Sequence, residues 1–134
     1  ILALLAIDLD KFKPINDEHG HAAGDIVLKN VAKNLAFSGR ETDLVARLGG
    51  DEFAIILYAP GDIAMIKEVA QRIINLVSTP VQFKNKTLSV GTSLGISIYE
   101  TTSEATLDDL MHNADMALYK AKDAGRNTYR IFEN

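Results

Sequence analysis

The sequence predicts an α+β fold, a sheet with helices covering it. Three observations carry that expectation. Strand-like and helix-like patterning alternate along the chain, a continuous apolar run opens it, and two segments read as hairpins. Residues 2–7 are apolar throughout, the pattern of a central strand buried on both faces. Residues 22–36 carry Leu28, Val31, Ala32 and Leu35 on one face and Lys29, Lys33 and Asn34 on another, which is helical spacing. Residues 43–48 and 53–58 are strand-like and flank Gly49-Gly50-Asp51-Glu52, so a hairpin with a four-residue turn is expected. Ile63, Ile66, Ala70, Ile73, Ile74 and Val77 repeat as a helix that Pro80 stops. Residues 81–90 read as a short hairpin turning at Lys84-Asn85-Lys86, and 92–99 as a strand. Leu107, Leu110, Met111, Ala114 and Leu118 predict a last helix, capped by Thr106 and ended by Gly125, before a strand at 128–132.

The 134 residues fit one domain, and no linker, repeat or low-complexity stretch divides them. Fourteen Lys and Arg against eighteen Asp and Glu give a net charge of −4, which disfavours binding of long nucleic acid by bulk charge. Hydrophobic residues make up 47%, too many for a disordered chain. The absence of cysteine excludes disulfides and thiolate metal sites and suits the cytoplasm. The opening apolar run is seven residues long, too short to span a bilayer, and has no basic flank of a signal peptide. A chain that opens inside such a run, without Met, reads as a fragment of a longer protein.

The departures from the hydrophobic pattern mark the site. Asp8 and Asp10 end the first strand, and Asp51 and Glu52 sit at the hairpin tip. A sheet that sets these ends side by side gathers carboxylates that repel and raise one another's pKa. A divalent cation relieves that conflict, and oxygen donors without Cys favour Mg²⁺ or Mn²⁺ over zinc. The alternative is two ordinary turns with solvated acids. A calcium loop opening at Asp8 fails, because its fifth, sixth and twelfth positions are Phe12, Lys13 and His19. His19 and His21 lack a third ligand nearby, so a polar contact in a loop is expected rather than zinc. Lys122 and Arg126 lie one helical turn apart, placed either for phosphate or simply for the helix dipole. Asn16 and Asp25 together could read a guanine edge, or could be ordinary helix caps.

Asp8-Leu9-Asp10-Lys11-Phe12-Lys13-Pro14-Ile15-Asn16-Asp17, Gly20-His21-Ala22-Ala23-Gly24-Asp25, Gly49-Gly50-Asp51-Glu52-Phe53 and Ala121-Lys122-Asp123-Ala124-Gly125-Arg126-Asn127 follow in order. This series closely resembles the GGDEF domain of diguanylate cyclases, across nearly the whole chain. The resemblance implies a palm-like sheet related to nucleotide cyclases, spanning 1–134 and lacking the helical segment that precedes the first strand in the family. It implies condensation of two GTP into cyclic di-GMP with loss of two pyrophosphates, each domain of an antiparallel homodimer presenting one GTP. By position, Asp8, Asp51 and the Leu9 carbonyl would hold Mg²⁺, with Mn²⁺ an alternative. Asp51 would also be the base for the attacking hydroxyl. Glu52 would support that site, and Lys13 would stabilise the phosphoryl transition state. Lys122 and Arg126 would hold phosphates, Asn16 and Asp25 would bind guanine, and His21 would lie close to the nucleotide. Arg40-Glu41-Thr42-Asp43 resembles the family's inhibitory Arg-x-x-Asp site for cyclic di-GMP, with Arg72 a candidate third member. Sensor or effector domains are expected elsewhere in the parent protein, on a cytoplasmic domain that could belong to a membrane-anchored chain. The alternative is a catalytically silent GTP- or cyclic-di-GMP-binding module that regulates an attached phosphodiesterase of the EAL type.

Overall fold

The computed structural model describes residues 1–38, 43–58, 60–100 and 102–133. Five strands form one sheet in the order β2-β3-β1-β6-β7, and β4 and β5 form a separate ribbon. The first apolar run is β1 (Leu2–Asp10), which continues past Ile7 to include both acids. It lies at the centre, antiparallel to β3 (Glu52–Tyr58) on one side and to β6 (Gly91–Tyr99) on the other. β2 (Leu44–Gly49) flanks β3, and β7 (Tyr129–Ile131) runs parallel to β6 at the opposite edge.

Side chains alternate across β1, so the strand feeds two cores. Ala3, Leu5, Ile7 and Leu9 join Phe53, Ile55 and Leu57 in the larger one, roofed by α1 (Phe12–His19), α2 (His21–Ser38) and α3 (Ile63–Val77). Leu4 and Ala6 meet Ala54, Leu110 and Ala114 in the smaller one, roofed by α4 (Leu107–Asp123). Asp8 has the same parity as Leu4 and Ala6 and therefore points to the α4 face. The register sets it opposite Glu52 on β3 and Ser93 on β6.

Local chemistry explains the helix ends. Asp62 accepts the Met65 N–H at 2.9 Å and starts α3. Thr106 and Asp109 satisfy each other's backbone amides in a capping box at the start of α4. The Thr106 N–H first, and the Thr106 hydroxyl second, hold the Asp109 carboxyl below the usual carboxylate range. Gly95 brings α4 down onto β6, because a Cβ there would be built into the Ala114 carbonyl and the Leu118 backbone. Ser97 Oγ then reaches the Leu110 carbonyl at 2.8 Å.

Three sequence expectations need correction. Residues 12–19 form a helix that periodicity does not reveal, because only Phe12 and Ile15 are buried in it. His19 and His21 consequently end α1 and begin α2, with Gly20 between them, rather than lying in a loop. Both hairpin turns are tighter than expected. Gly49 pairs with Glu52, leaving Gly50-Asp51 as the turn, and Phe83 pairs with Lys86, leaving Lys84-Asn85 at φ 45° and 67°. β4 (Val81–Phe83) and β5 (Lys86–Leu88) are short accordingly. Among the described residues, no helix is long and apolar enough to cross a membrane.

Candidate active site

The end of β1, the β2–β3 tip and the last turn of α4 converge at one end of the sheet. Asp8 is mostly buried there and receives an ion pair from Lys122 Nζ on its Oδ2 atom. Its Oδ1 is buried with no hydrogen-bond partner. A buried carboxylate oxygen left unpaired is costly, and such an atom in a folded protein calls for an explanation. Asp51 lies beside it on the tip. Burial first, and the Asp8 charge second, push the Asp51 carboxyl above its ordinary value, while Lys122 pulls in the other direction. The Leu9 N–H donates to the Asp51 carbonyl at 3.2 Å, tying the tip to β1 one residue beyond Asp8. One cation between Asp8 and Asp51 would relieve both the unpaired oxygen and the mutual repulsion.

The donor set fits a hard cation of the Mg²⁺ or Mn²⁺ kind. The Asp8 and Asp51 carboxylates offer only oxygen, and such ions usually complete their shell with water and a ligand's phosphate oxygens. Among the described residues there is no group of three or more His, Asp or Glu side chains able to hold a metal unaided. Water and, where a nucleotide is bound, its phosphate oxygens would fill the remaining positions.

Asp10 does not join this cluster, contrary to the expectation of several acids in one area. It is 5% exposed, accepts Ser93 Oγ at 2.8 and 3.1 Å, and accepts the Asn127 N–H at 2.9 Å. It fastens β1 to β6 and to the segment after α4. Thr92 Oγ1 adds a 2.9 Å bond to the Asp8 carbonyl.

Two cavities flank the tip, one on each face of the sheet. The first, about 270 Å³, is lined by Asp8, Glu52, Lys122, Leu48, Asp115 and Tyr119, among others. Asp115, Tyr119 and Lys122 sit at i, i+4 and i+7 of α4, one helix face, a spacing visible in the sequence once Lys122 is suspected. The second, about 200 Å³, lies under α2 and is lined by Asp25, Leu28, Lys29, Ala32, Arg47 and Phe53. Asn16 stands beside it, its amide seated over Gly24, where a Cβ would occupy the amide's own position. Asn16 and Asp25 are therefore inside helices rather than caps. Arg47 escaped sequence reasoning, although it stands two residues before Gly49. Its Nε and Nη2 both donate to the Gly50 carbonyl, at 3.0 and 2.8 Å.

Other residues singled out in the sequence lie at the margins. Lys13 is exposed in the first turn of α1, His21 is exposed at the start of α2, and Arg126 is exposed just beyond α4 at φ 65°. None of the three lines either cavity. Arg40 lies outside the described residues. Asp43 stands just before β2 and accepts the Tyr58 N–H at 3.2 Å, closing the open end of the hairpin. Arg72 is on α3.

A family model described as diguanylate cyclase, GGDEF domain, matches residues 1–128. The diguanylate cyclase TpbB of Pseudomonas aeruginosa is 44% identical over 133 residues, covering 98% of this chain and 30% of that protein. The bifunctional diguanylate cyclase/cyclic di-GMP phosphodiesterase MucR of the same species is 41% identical over 134 residues, covering 98% and 19%. A crystal structure of the TpbB GGDEF domain superposes with a TM-score of 0.92 at 44% identity, covering 99% of this chain and 83% of that one. The chain thus spans less than a third of the length of these two curated relatives.

Proposed function

Because the chain belongs to the GGDEF family of diguanylate cyclase domains, we propose that it condenses two GTP into cyclic di-GMP, one GTP held by each domain of an antiparallel homodimer. The observation that carries this reading is the half-satisfied Asp8, one oxygen on Lys122 and the other buried and unpartnered beside Asp51. That arrangement suits a site which binds a cation together with an anionic nucleotide.

Asp8, Asp51 and the Leu9 carbonyl would hold Mg²⁺, or Mn²⁺. Bound there, the ion supplies neutralisation of phosphate charge and acidifies the attacking hydroxyl. The chain's own residues do the rest. Lys122, and Arg126 just past the helix end, attract the triphosphate, and Lys13 offers a charge to the transition state. The 3′-oxygen of one GTP bonds to the α-phosphorus of the other, the α–β anhydride breaks and pyrophosphate leaves. The hydroxyl proton passes to Asp51, the carboxylate beside the cation position. Glu52, paired with Asp8 across the sheet, helps hold that geometry. The second step repeats the first with the roles exchanged, and one domain alone holds half of the reactants.

The α2-side cavity would take guanine, with Asp25 accepting from its N1–H and N2–H and the neighbouring Asn16 adding a further contact, while His21 at the start of α2 would approach the nucleotide from outside the cavity. The base and the phosphates then lie on opposite faces of the sheet, and the nucleotide crosses over the end of β1. Gly24→Ala is expected to push the Asn16 amide aside and to lower the GTP-over-ATP preference about tenfold. Its melting temperature should change little, because alanine favours the helix by about 1 kcal/mol relative to glycine. A preference equal to that of the unmodified domain would count against the base assignment.

Arg40 and Asp43 form the proposed inhibitory site for cyclic di-GMP, with Arg72 the candidate addition. The domain works in the cytoplasm, where GTP is found, within a longer protein carrying sensor or effector modules. The deciding experiment is GTP turnover with Mg²⁺ by the domain fused to a dimerising coiled coil, read as pyrophosphate and cyclic di-GMP by chromatography. Product supports the cyclase. GTP binding without product would favour a silent regulatory domain, the kind of role suited to a chain that also carries a phosphodiesterase.

A further inference from the structure

Arg47 belongs to both halves of the site at once. It pairs across the hairpin with Phe53 on the α2 face of the sheet, and its side chain walls the cavity that contains Asp25. Its guanidinium donates two bonds, at 3.0 and 2.8 Å, to the carbonyl of Gly50. That carbonyl belongs to the peptide leading into Asp51, which faces Asp8 and Lys122 on the α4 side. The tip is otherwise conformationally free: Gly49 and Gly50 have φ 148° and 51°, and nothing lies within 4 Å of a Cβ built at either. Besides the Gly49–Glu52 pairing, two anchors hold the turn, the Arg47 fork on Gly50 and the Leu9 N–H on the Asp51 carbonyl. The second anchor is in β1 and cannot respond to the α2-side cavity. The first is part of that cavity's wall.

We propose that Arg47 is a positioning residue that couples occupancy of the α2-side cavity by a purine base to the placement of Asp51 at the cation site. A flat base packed against the guanidinium restricts the Arg47 side chain to the rotamer that grips Gly50, and the planar fork then holds the turn. The effect is reciprocal: a cation that fixes Asp51 favours the gripping rotamer and hence the base. Correct base recognition thereby assembles the cation site, whereas a nucleotide with the wrong base leaves the tip loose. This inference rests on the proposal that the α2-side cavity takes guanine.

The test uses guanosine, which has no phosphate to chelate metal, so that any influence on metal affinity must travel through the protein. Mn²⁺ affinity is measured by electron paramagnetic resonance with and without saturating guanosine, and guanosine binding is measured separately by calorimetry. In the unmodified domain guanosine should tighten Mn²⁺ binding about fivefold to tenfold, the range of a typical coupling between sites. Arg47→Ala should bring that ratio to one, and Arg47→Lys, which keeps a charge but loses the fork, should restore part of it. A residue that merely supports the fold would weaken Mn²⁺ binding by the same factor in both conditions and leave the ratio intact, which would overturn the proposal. Guanosine that binds without changing Mn²⁺ affinity in the unmodified domain would overturn the coupling alone. Guanosine that does not bind at all would overturn the base-cavity assignment and the coupling with it.

Discussion

Asp51→Ala is expected to lower cyclic di-GMP formation by the dimerised domain by more than about a hundredfold, because it would remove the proposed cation ligand and the proposed proton acceptor together. The domain should remain folded, since the side chain is at a turn and the tip's backbone bonds to Leu9 and Arg47 survive. Near-normal turnover would refute the assignment. The isosteric Asp51→Asn separates charge from shape through stability. The native Asp51 carboxyl is raised above its unfolded value of 3.8. Between those two values the folded state binds more protons, so rising pH through that window costs stability, and the full penalty is present at neutral pH. Without metal, Asp51→Asn should therefore melt higher than the unmodified domain at pH 7. The difference should shrink as pH falls through the native pKa and vanish below the ordinary carboxylate range. Saturating Mg²⁺ should reverse the order at pH 7, because only the unmodified site gains from binding. Identical melting curves across pH in the absence of metal would show that Asp51 feels neither burial nor Asp8.

Gly95→Ala should be the most damaging single-methyl change in the fold. The new Cβ meets the backbone of α4 at Ala114 and Leu118, and backbone cannot swing away as a side chain can. α4 must lift from β6, opening the smaller core around Leu4, Ala6, Ala54, Leu110 and Ala114. Overpacking of this kind costs about 3 kcal/mol, and the Lys122–Asp8 pair moves with the helix. Urea denaturation gives the loss directly, and a change below about 1 kcal/mol would mean that the layers are not in rigid contact. The contrast with Gly24 is instructive. Both glycines sit under another element, but at Gly24 the obstacle is chiefly the Asn16 amide, so the penalty falls on recognition rather than on stability.

The parts legible in the sequence were those written in periodicity or in residue type. The uninterrupted run before Asp8 announced the central strand, and the spacing of Ile66, Ala70, Ile73 and Val77 announced α3, because burial on one face dictates apolar identity. Asp8, Asp51 and Glu52 stood out as charges at strand ends, and the register does bring Asp8 opposite Glu52. α1 was not legible because eight residues with two buried side chains make too short a pattern. Asp10 was misread for a different reason. Its type and place match those of Asp8, and only the tertiary partners Ser93 and Asn127, more than eighty residues away, give it another job. Arg47 was invisible because its partner is a backbone carbonyl, which leaves no trace in residue identity. Arg40, half of the proposed inhibitory site, lies outside the described residues.

The Asp10 fastening has a wider consequence. One buried carboxylate joins the end of β1, the start of β6 and the turn after α4, so the acids on β1 and Lys122 on α4 keep a fixed spacing. A centre clamped in this way offers a regulator little internal travel, apart from the hairpin tip. If the proposed homodimer forms the complete site, what stays adjustable is how often two such half-centres meet. In the proposed reaction, control then becomes a matter of local concentration. A tether that holds two copies at an effective concentration of about 1 mM would make frequent what free diffusion makes rare. The same catalytic residues could thus serve many upstream signals, each acting through the geometry of its tether.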